Sequence, residues 1–236
     1  MKAVALLSGG MDSTTLVYSL RSQGFEDIHC LSINYGQRHV KELDYAKRIC
    51  HKLSMRHDIV DMSGITRLIS SSALTGDTEV PEGHYAEDNM AQTVVPNRNM
   101  MMLSIAAAVA VTELREYVAC AVHAGDHAVY PDCRPEFIEA MTSAIMIGNE
   151  GFGLLGFPPL LTAPFLLKSK ADIAYLGDRL HVPWEMTWSC YKGEHLHCGR
   201  CGTCVERQEA FALADVTDPT QYADPDFWKE TVAHGG

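Results

Sequence analysis

A chain of 236 residues, 47% hydrophobic and 21% charged, has room for one sizeable core with at most a small appendage. Thirty acidic residues against 19 lysines and arginines, a net charge of −11, argue against a broad surface for duplex nucleic acid, though not against a local basic pocket. The chain enters an apolar strand with no basic segment and cleavage site ahead of it, and its longest apolar stretch, 100–111, is interrupted by Ser104. The expectation is a cytoplasmic protein with no membrane partner.

In chain order, Lys2 to Leu7 reads as a buried strand and Thr14 to Leu20 as a helix. Between them stand Ser8-Gly9-Gly10-Met11-Asp12-Ser13. Paired glycines permit backbone angles that a side chain forbids and let the chain press against a ligand. The amides that follow open a helix, where unpaired N–H groups and the macrodipole favour an anion, and Ser8 and Ser13 add hydroxyls. The plain alternative is a glycine turn capped by Asp12 or Ser13, which needs no ligand. The usual phosphate loop carries a lysine, and this one carries Asp12 instead. A carboxylate among phosphate donors implies a divalent cation between them.

That helix ends near Gln23-Gly24, and next come a strand Ile28 to Asn34, a helix Val40 to Leu53 and a strand Arg56 to Val60. The polar, turn-rich stretch 70–93 reads as a mobile loop or lid. An apolar helix Met100 to Val111 leads to a strand Tyr117 to Val122, and helices follow over Pro135 to Met146 and Lys168 to Leu180, separated by the glycine-rich stretch 148–156. A short helix near Glu206 to Ala214 and a polar tail end the chain. This alternation predicts an α/β fold, a parallel Rossmann-like sheet of about five strands with helices on both faces, whose ligands sit beyond the carboxyl ends of the strands. We expect a catalytic domain over 1–180 and a C-terminal metal-binding segment over 181–236 packed on it.

Cys190, Cys198, Cys201 and Cys204 stand within fifteen residues, while Cys30, Cys50, Cys120 and Cys133 are scattered. Four thiolates suit tetrahedral zinc in a closed, structural site, with Lys192, Arg200 and Arg207 placed to offset the charge. An iron–sulfur cluster and two disulfides are the competing readings. His195 and His197 are possible further ligands, though solvent-exposed loop histidines are the simpler expectation.

The Ser-Gly-Gly-x-Asp-Ser pattern resembles the loop of the N-type ATP pyrophosphatases, which cleave ATP between its α and β phosphates. That resemblance makes Ser8, Gly9, Gly10, Met11, Asp12, Ser13 and Thr14 the candidate ATP residues. Together with the tetracysteine, Tyr35-Gly36-Gln37-Arg38-His39, Val95-Pro96-Asn97-Arg98-Asn99, Gly125-Asp126, Tyr130 to Phe137, Lys168 to Ile173 and Trp188-Ser189-Cys190-Tyr191, the chain resembles the QueC family of 7-cyano-7-deazaguanine synthases over nearly its whole length. One departure is Asn97, where many relatives carry glycine; asparagine tolerates a left-handed backbone better than most residues.

The resemblance implies a ligase that joins 7-carboxy-7-deazaguanine and ammonia at the expense of ATP, works with Mg2+ and Zn2+, forms homodimers and binds no nucleic acid. Phe152 to Leu161 is apolar enough to cover a partner copy. Arg38 and Arg98 are candidates for phosphate or the substrate carboxylate, since a guanidinium meets either at two points; a surface ion pair is the alternative. Lys168 and Lys170 point to different faces, so at most one reaches phosphate, and Lys168 is the expected one. Asp126, Asp132 and Arg134 are expected at the heterocycle, although Asp132 beside Pro131 also fits an Asx turn. His123 and His127 are candidate proton carriers, and Cys133 is expected to be structural. Rival readings are a sibling ligase that stops at the amide or thiolates tRNA, and a zinc-ribbon nucleic-acid binder, which the acidic charge disfavours.

Overall fold

Residues 1–37, 41–66, 68, 72–75, 79–85, 88–192 and 195–234 are described by the computed structural model. Five strands, β1 (Lys2–Leu6), β2 (Asp27–Asn34), β3 (Arg56–Asp61), β4 (Tyr117–Ala119) and β5 (Leu160–Thr162), form one parallel sheet in the order β3-β2-β1-β4-β5. Alternation along each strand feeds two cores. Ala3, Ala5 and Leu7 face α1 (Met11–Ser22), α2 (Lys41–Leu53) and α6 (Lys170–Arg179) through Leu16, Leu20, Ala46, Ile49 and Ile173. Val4, Leu31, Ile33 and Val118 face α4 (Arg98–Thr112) and α5 (Pro135–Gly148) through Leu103, Ala106, Ile138 and Met141. A short helix α3 (Ser63–Thr66) follows β3, and α7 (Gly202–Leu213) and α8 (Phe227–His234) complete the chain, α7 lying on α6.

β5 and α8 are absent from the sequence-based expectation. Leu160 and Leu161, at the end of the stretch expected to cover a partner, belong to the edge strand β5, paired with Tyr117 and Val118, and Leu160 is exposed. Phe152, Leu155 and Phe157 before them remain exposed. The stretch 90–112 is long and apolar enough to cross a bilayer by length and composition. It is broken at Asn97, which takes the left-handed conformation at φ 56°, and α4 lays Leu103, Ala106 and Ala107 on the sheet.

The strand order reverses between β1 and β4, and a cleft opens there at the carboxyl ends. The loops after β1, β2 and β4 meet at it. The expected mobile loop is, over residues 79–85, fastened down: Glu82 bridges to Cys201, Gly83 N–H donates to the Arg200 carbonyl at 3.1 Å, and Tyr85 Oη donates to Glu209 at 2.9 Å.

Candidate active site and metal centre

Gly10 is the N-cap of α1 and no side chain caps the helix, so its first amides lie open towards the cleft. Ser8 and Ser13 brace the turn, their hydroxyls 3.0 Å apart and the Ser8 amide 3.2 Å from Ser13 Oγ. Gly9 has φ +90°, and a Cβ there would stand 2.2 Å from the Glu42 carbonyl oxygen, so only glycine lets the loop lie against α2. The Gly9 carbonyl accepts the Trp188 amide at 2.8 Å. The cleft holds a cavity of about 260 Å³ lined by Ser8, Gly10, Met11, Asp12 and Ser13 among others. Gly9 and Thr14, both expected at ATP, are outside that lining: Gly9 is tucked under α2, and Thr14 is wholly buried.

Facing the loop is a charged cluster. Lys170 Nζ stands 3.4 Å from Asp12 Oδ2 and pairs with Glu206 Oε2. Burial works against its charge, but Asp12 and then Glu206 outweigh that and hold the amine above the usual lysine range. His123 Nδ1 accepts the Gly125 amide at 3.1 Å, so the neutral ring carries its proton on Nε2, 3.8 Å from Asp12 and 3.6 Å from Asp126. Nε2 thus faces both carboxylates from beyond hydrogen-bond distance. His127 is outside the lining, and its Nε2 is buried with no hydrogen-bond partner among the described residues.

Asp12 Oδ1 is also buried without such a partner. A carboxylate oxygen without a donor, beside helix-start amides and two further carboxylates, fits a hard divalent cation shared with phosphate oxygens. Asp126 lines the same cavity.

Three expected residues are elsewhere. Lys168 is exposed, because Ser169 caps α6 by exchanging hydrogen bonds with Asp172; this leaves Lys168 outside the helix and aims Lys170, its first residue, inward. Asp132 caps α4, its carboxylate accepting the Asn99 amide at 2.9 Å while Asn99 Nδ2 donates to its carbonyl at 3.1 Å. Arg134 is exposed and donates to the His127 carbonyl at 2.8 Å. Arg38 lies outside the described residues. Arg98 lines the cavity, with Tyr130 5.7 Å from its guanidinium and its Nε buried without a hydrogen-bond partner among the described residues.

The sequence reading missed Glu206 and Glu42. Glu206 sits in α7, 36 residues from Lys170, and carries no local signal. Glu42 in the first turn of α2 looks like a dipole-matching acid, yet it lines the cavity.

The four cysteine sulfurs lie within 4.8 Å of one another, the one such set among the described residues. Amides of Lys192 and Cys198 donate to Cys190 Sγ, and those of Arg200 and Cys201 to Cys198 Sγ, as the stabilisation of thiolates requires. His197 is no ligand: it is buried, Nε2 accepts the Ser189 amide at 3.2 Å, and burial lowers its pKa to about 3. Lys192 and Arg200, expected to offset the sulfurs, pair with Glu82 at 2.5 and 2.7 Å. Arg207 is wholly buried and grips Asp218 at two points, tying the tail down. The cysteine segment reaches the cleft, since Trp188, Ser189, Tyr191, Thr203 and Glu206 all line it.

Comparison with known proteins agrees with this architecture. Residues 2–215 match the family described as Queuosine biosynthesis protein QueC. The chain is 50% identical over 233 residues to the 7-cyano-7-deazaguanine synthase of Sinorhizobium fredii, covering 99% of this chain and 97% of that one. It is 49% identical over 232 residues to that of Ruegeria pomeroyi, covering 98% and 99%. Among solved structures, a 4-thiouridine synthetase in complex with RNA and bound ATP is similar in fold, with a TM-score of 0.51 at 15% identity over 98% of this chain and 50% of that one. A family match spanning the sheet, the cleft and the cysteine segment, with relatives half identical from end to end, means that this chain belongs to the QueC family.

Proposed function

We propose that the protein converts 7-carboxy-7-deazaguanine, ammonia and two ATP into 7-cyano-7-deazaguanine, releasing two AMP and two pyrophosphate. The observation that carries the ATP chemistry is the Asp12 carboxylate, one oxygen unpartnered among the described residues, set between helix-start amides and Lys170. The heterocycle comes from the relatives' names. A carboxylate is a poor electrophile because its leaving group is oxide. Its oxygen attacks the α-phosphorus, pyrophosphate leaves, and ammonia displaces AMP from the mixed anhydride to give the amide. The amide oxygen takes adenylyl from the second ATP, and loss of AMP and the nitrogen-bound protons leaves the nitrile.

The chain's residues serve the activation step, which occurs twice. The amides at Met11 to Ser13 with the Ser8 and Ser13 hydroxyls hold the departing pyrophosphate, and Lys170 faces charge growing on the transferring phosphate. Asp12, with Asp126 beside it, is the place for Mg2+, which when bound offsets phosphate charge. His123 Nε2 stands between the two carboxylates, 3.8 Å from Asp12 and 3.6 Å from Asp126. Arg98 belongs to the acid, and Arg38 is proposed beside it on the family motif alone. Residues 1–180 supply the sheet and the phosphate loop, and 181–236 close the cleft with Glu206 and Thr203.

The four sulfurs are proposed to hold Zn2+ in a closed structural site. Ligands about 2.3 Å from one ion stand about 3.8 Å apart, whereas a four-iron cluster spreads them wider; Cys198 and Cys204 are 3.9 Å apart. We place the protein in the cytoplasm, as its eight cysteines are unpaired by disulfides. A second copy of the chain is proposed against Phe152, Leu155 and Phe157; light scattering that gives a monomer removes it.

The test is incubation with 7-carboxy-7-deazaguanine, ATP, Mg2+ and ammonium, following AMP and nitrile together. Two AMP per nitrile is expected. ADP in place of AMP overturns the mechanism, AMP without nitrile the substrate, and a product that halts at the amide the second activation.

A further inference from the structure

The residues lining the cleft fall into two groups. Asp12, Lys170, Glu206, His123 and Asp126 surround the phosphate loop. Tyr35, Tyr130 and Tyr191 gather with Arg98 and Glu42 in the other group, next to a recess of about 30 Å³ that Glu42 shares with Tyr35, Gln37 and Tyr191. The second group lacks the helix-start amides and the lysine of the first, and its three phenol rings around one guanidinium and one carboxylate suit a flat polar ring.

Two features of the second group await a partner. Arg98 Nε is buried and unbonded within the described residues, which is costly for a polar group denied water. Among the described residues Glu42 is held from one side, Gln37 Nε2 donating to its Oε1 at 3.0 Å while Gln37 Oε1 accepts the Tyr35 amide at 2.9 Å. That second bond fixes which way the Gln37 amide points. A carboxylate has about four acceptor directions, so one Gln37 donor leaves room for more. Burial raises the Glu42 carboxyl to about 7, against the pull of Gln37 and Arg98, so its charge is costly without further donors.

We propose that Glu42 and Arg98 read the pyrimidinone edge of the heterocyclic acid, Glu42 accepting the ring N–H and the exocyclic amine while Arg98 donates to the ring carbonyl and the tyrosine rings flank the plane. A guanine-type edge presents acceptor, donor, donor in a row, and a guanidinium beside a carboxylate is its complement. Adenine presents an acceptor nitrogen where this edge has an N–H, and that nitrogen would face the Glu42 carboxylate. The pair thereby keeps the two purine-like rings of the reaction in their own seats. This assignment rests on the acid being a 7-deazaguanine.

The test is calorimetric binding of 7-carboxy-7-deazaguanine and of its analogue lacking the exocyclic amine, to the metal-loaded parent, Glu42→Gln and Arg98→Lys. A site built to pair a polar group discriminates strongly against its loss, so the parent is expected to prefer the aminated acid by at least about thirtyfold. Glu42→Gln abolishes that preference and weakens the acid by a similar factor, Arg98→Lys weakens both acids, and α,β-methylene-ATP binds all three proteins within about twofold. Undiminished discrimination in Glu42→Gln overturns the inference, as does equal loss of nucleotide binding. A parent that makes nitrile while Glu42→Gln stays unaltered defeats this assignment alone, whereas a parent that binds neither acid defeats the proposed substrate as well.

Discussion

Glu42→Gln has a second consequence, opposite in sign, for the protein without ligand. The carboxyl is raised by burial from 4.5 to about 7 in the folded chain. A raised acid stabilises the fold while it is protonated; that contribution is complete below pH 4.5 and is lost as pH climbs through 7. At about 1.4 kcal/mol per tenfold change in proton affinity, ionised Glu42 costs the fold about 3 kcal/mol at pH 8. Glutamine is isosteric and uncharged, and its amide oxygen still accepts from Gln37. The variant is therefore expected to be more stable than the parent by up to about 3 kcal/mol at pH 8 and by less than about 1 kcal/mol at pH 5. Urea unfolding of both proteins at pH 5, 6.5 and 8, metal-loaded and without substrate, reads the difference directly. A loss of stability of the same size at all three values would show that Glu42 is a packing residue whose charge is cheap, and the reasoning fails. Stability gained by removing a binding group marks strain kept for a ligand.

Lys170→Met leaves Asp12 and Glu206 facing each other without their cation, and AMP formation is expected to fall by about 10²–10³. Lys168→Met, outside the cleft, should match the parent; initial rates with equal losses for both lysines refute the assignment. Arg207→Met strands the Asp218 carboxylate in a buried setting and should cost about 3–5 kcal/mol in urea unfolding; a cost under about 1 kcal/mol would mean that the tail clamp is idle. Cys201→Ser should take the bound metal from one ion per chain to none and weaken ATP binding, because the cysteine segment carries Trp188, Ser189, Thr203 and Glu206 to the cleft. Unchanged metal content by elemental analysis would refute the four-sulfur centre.

The phosphate loop, the alternation of strands and helices, and the cysteine spacing were all legible in the chain, because each depends on neighbours within a few residues. Asn97 illustrates this: its tolerance of a left-handed backbone is intrinsic, and the turn exists at φ 56°. β5 escaped notice because three residues are too few to display a period. The choice of Lys170 over Lys168 turned on where the Ser169 cap starts the helix, a boundary that residue types leave open by a position or two. Asp132 offered a carboxylate in the expected loop, yet that carboxylate is taken by the Asn99 amide of α4.

What the sequence determined by itself is the chemistry available: a lysine-free glycine turn with one aspartate, four closely spaced thiols, and a parallel sheet to carry them. Only the closed tertiary structure decided which charges meet, since Glu206 joins Lys170 across 36 residues and Arg98 shares a cavity with Glu42 from another loop. The physical reason is range. Backbone angles and metal chelation are settled within a turn of chain, whereas burial, and with it the cost of an unpaired charge, exists only once distant segments have excluded water together.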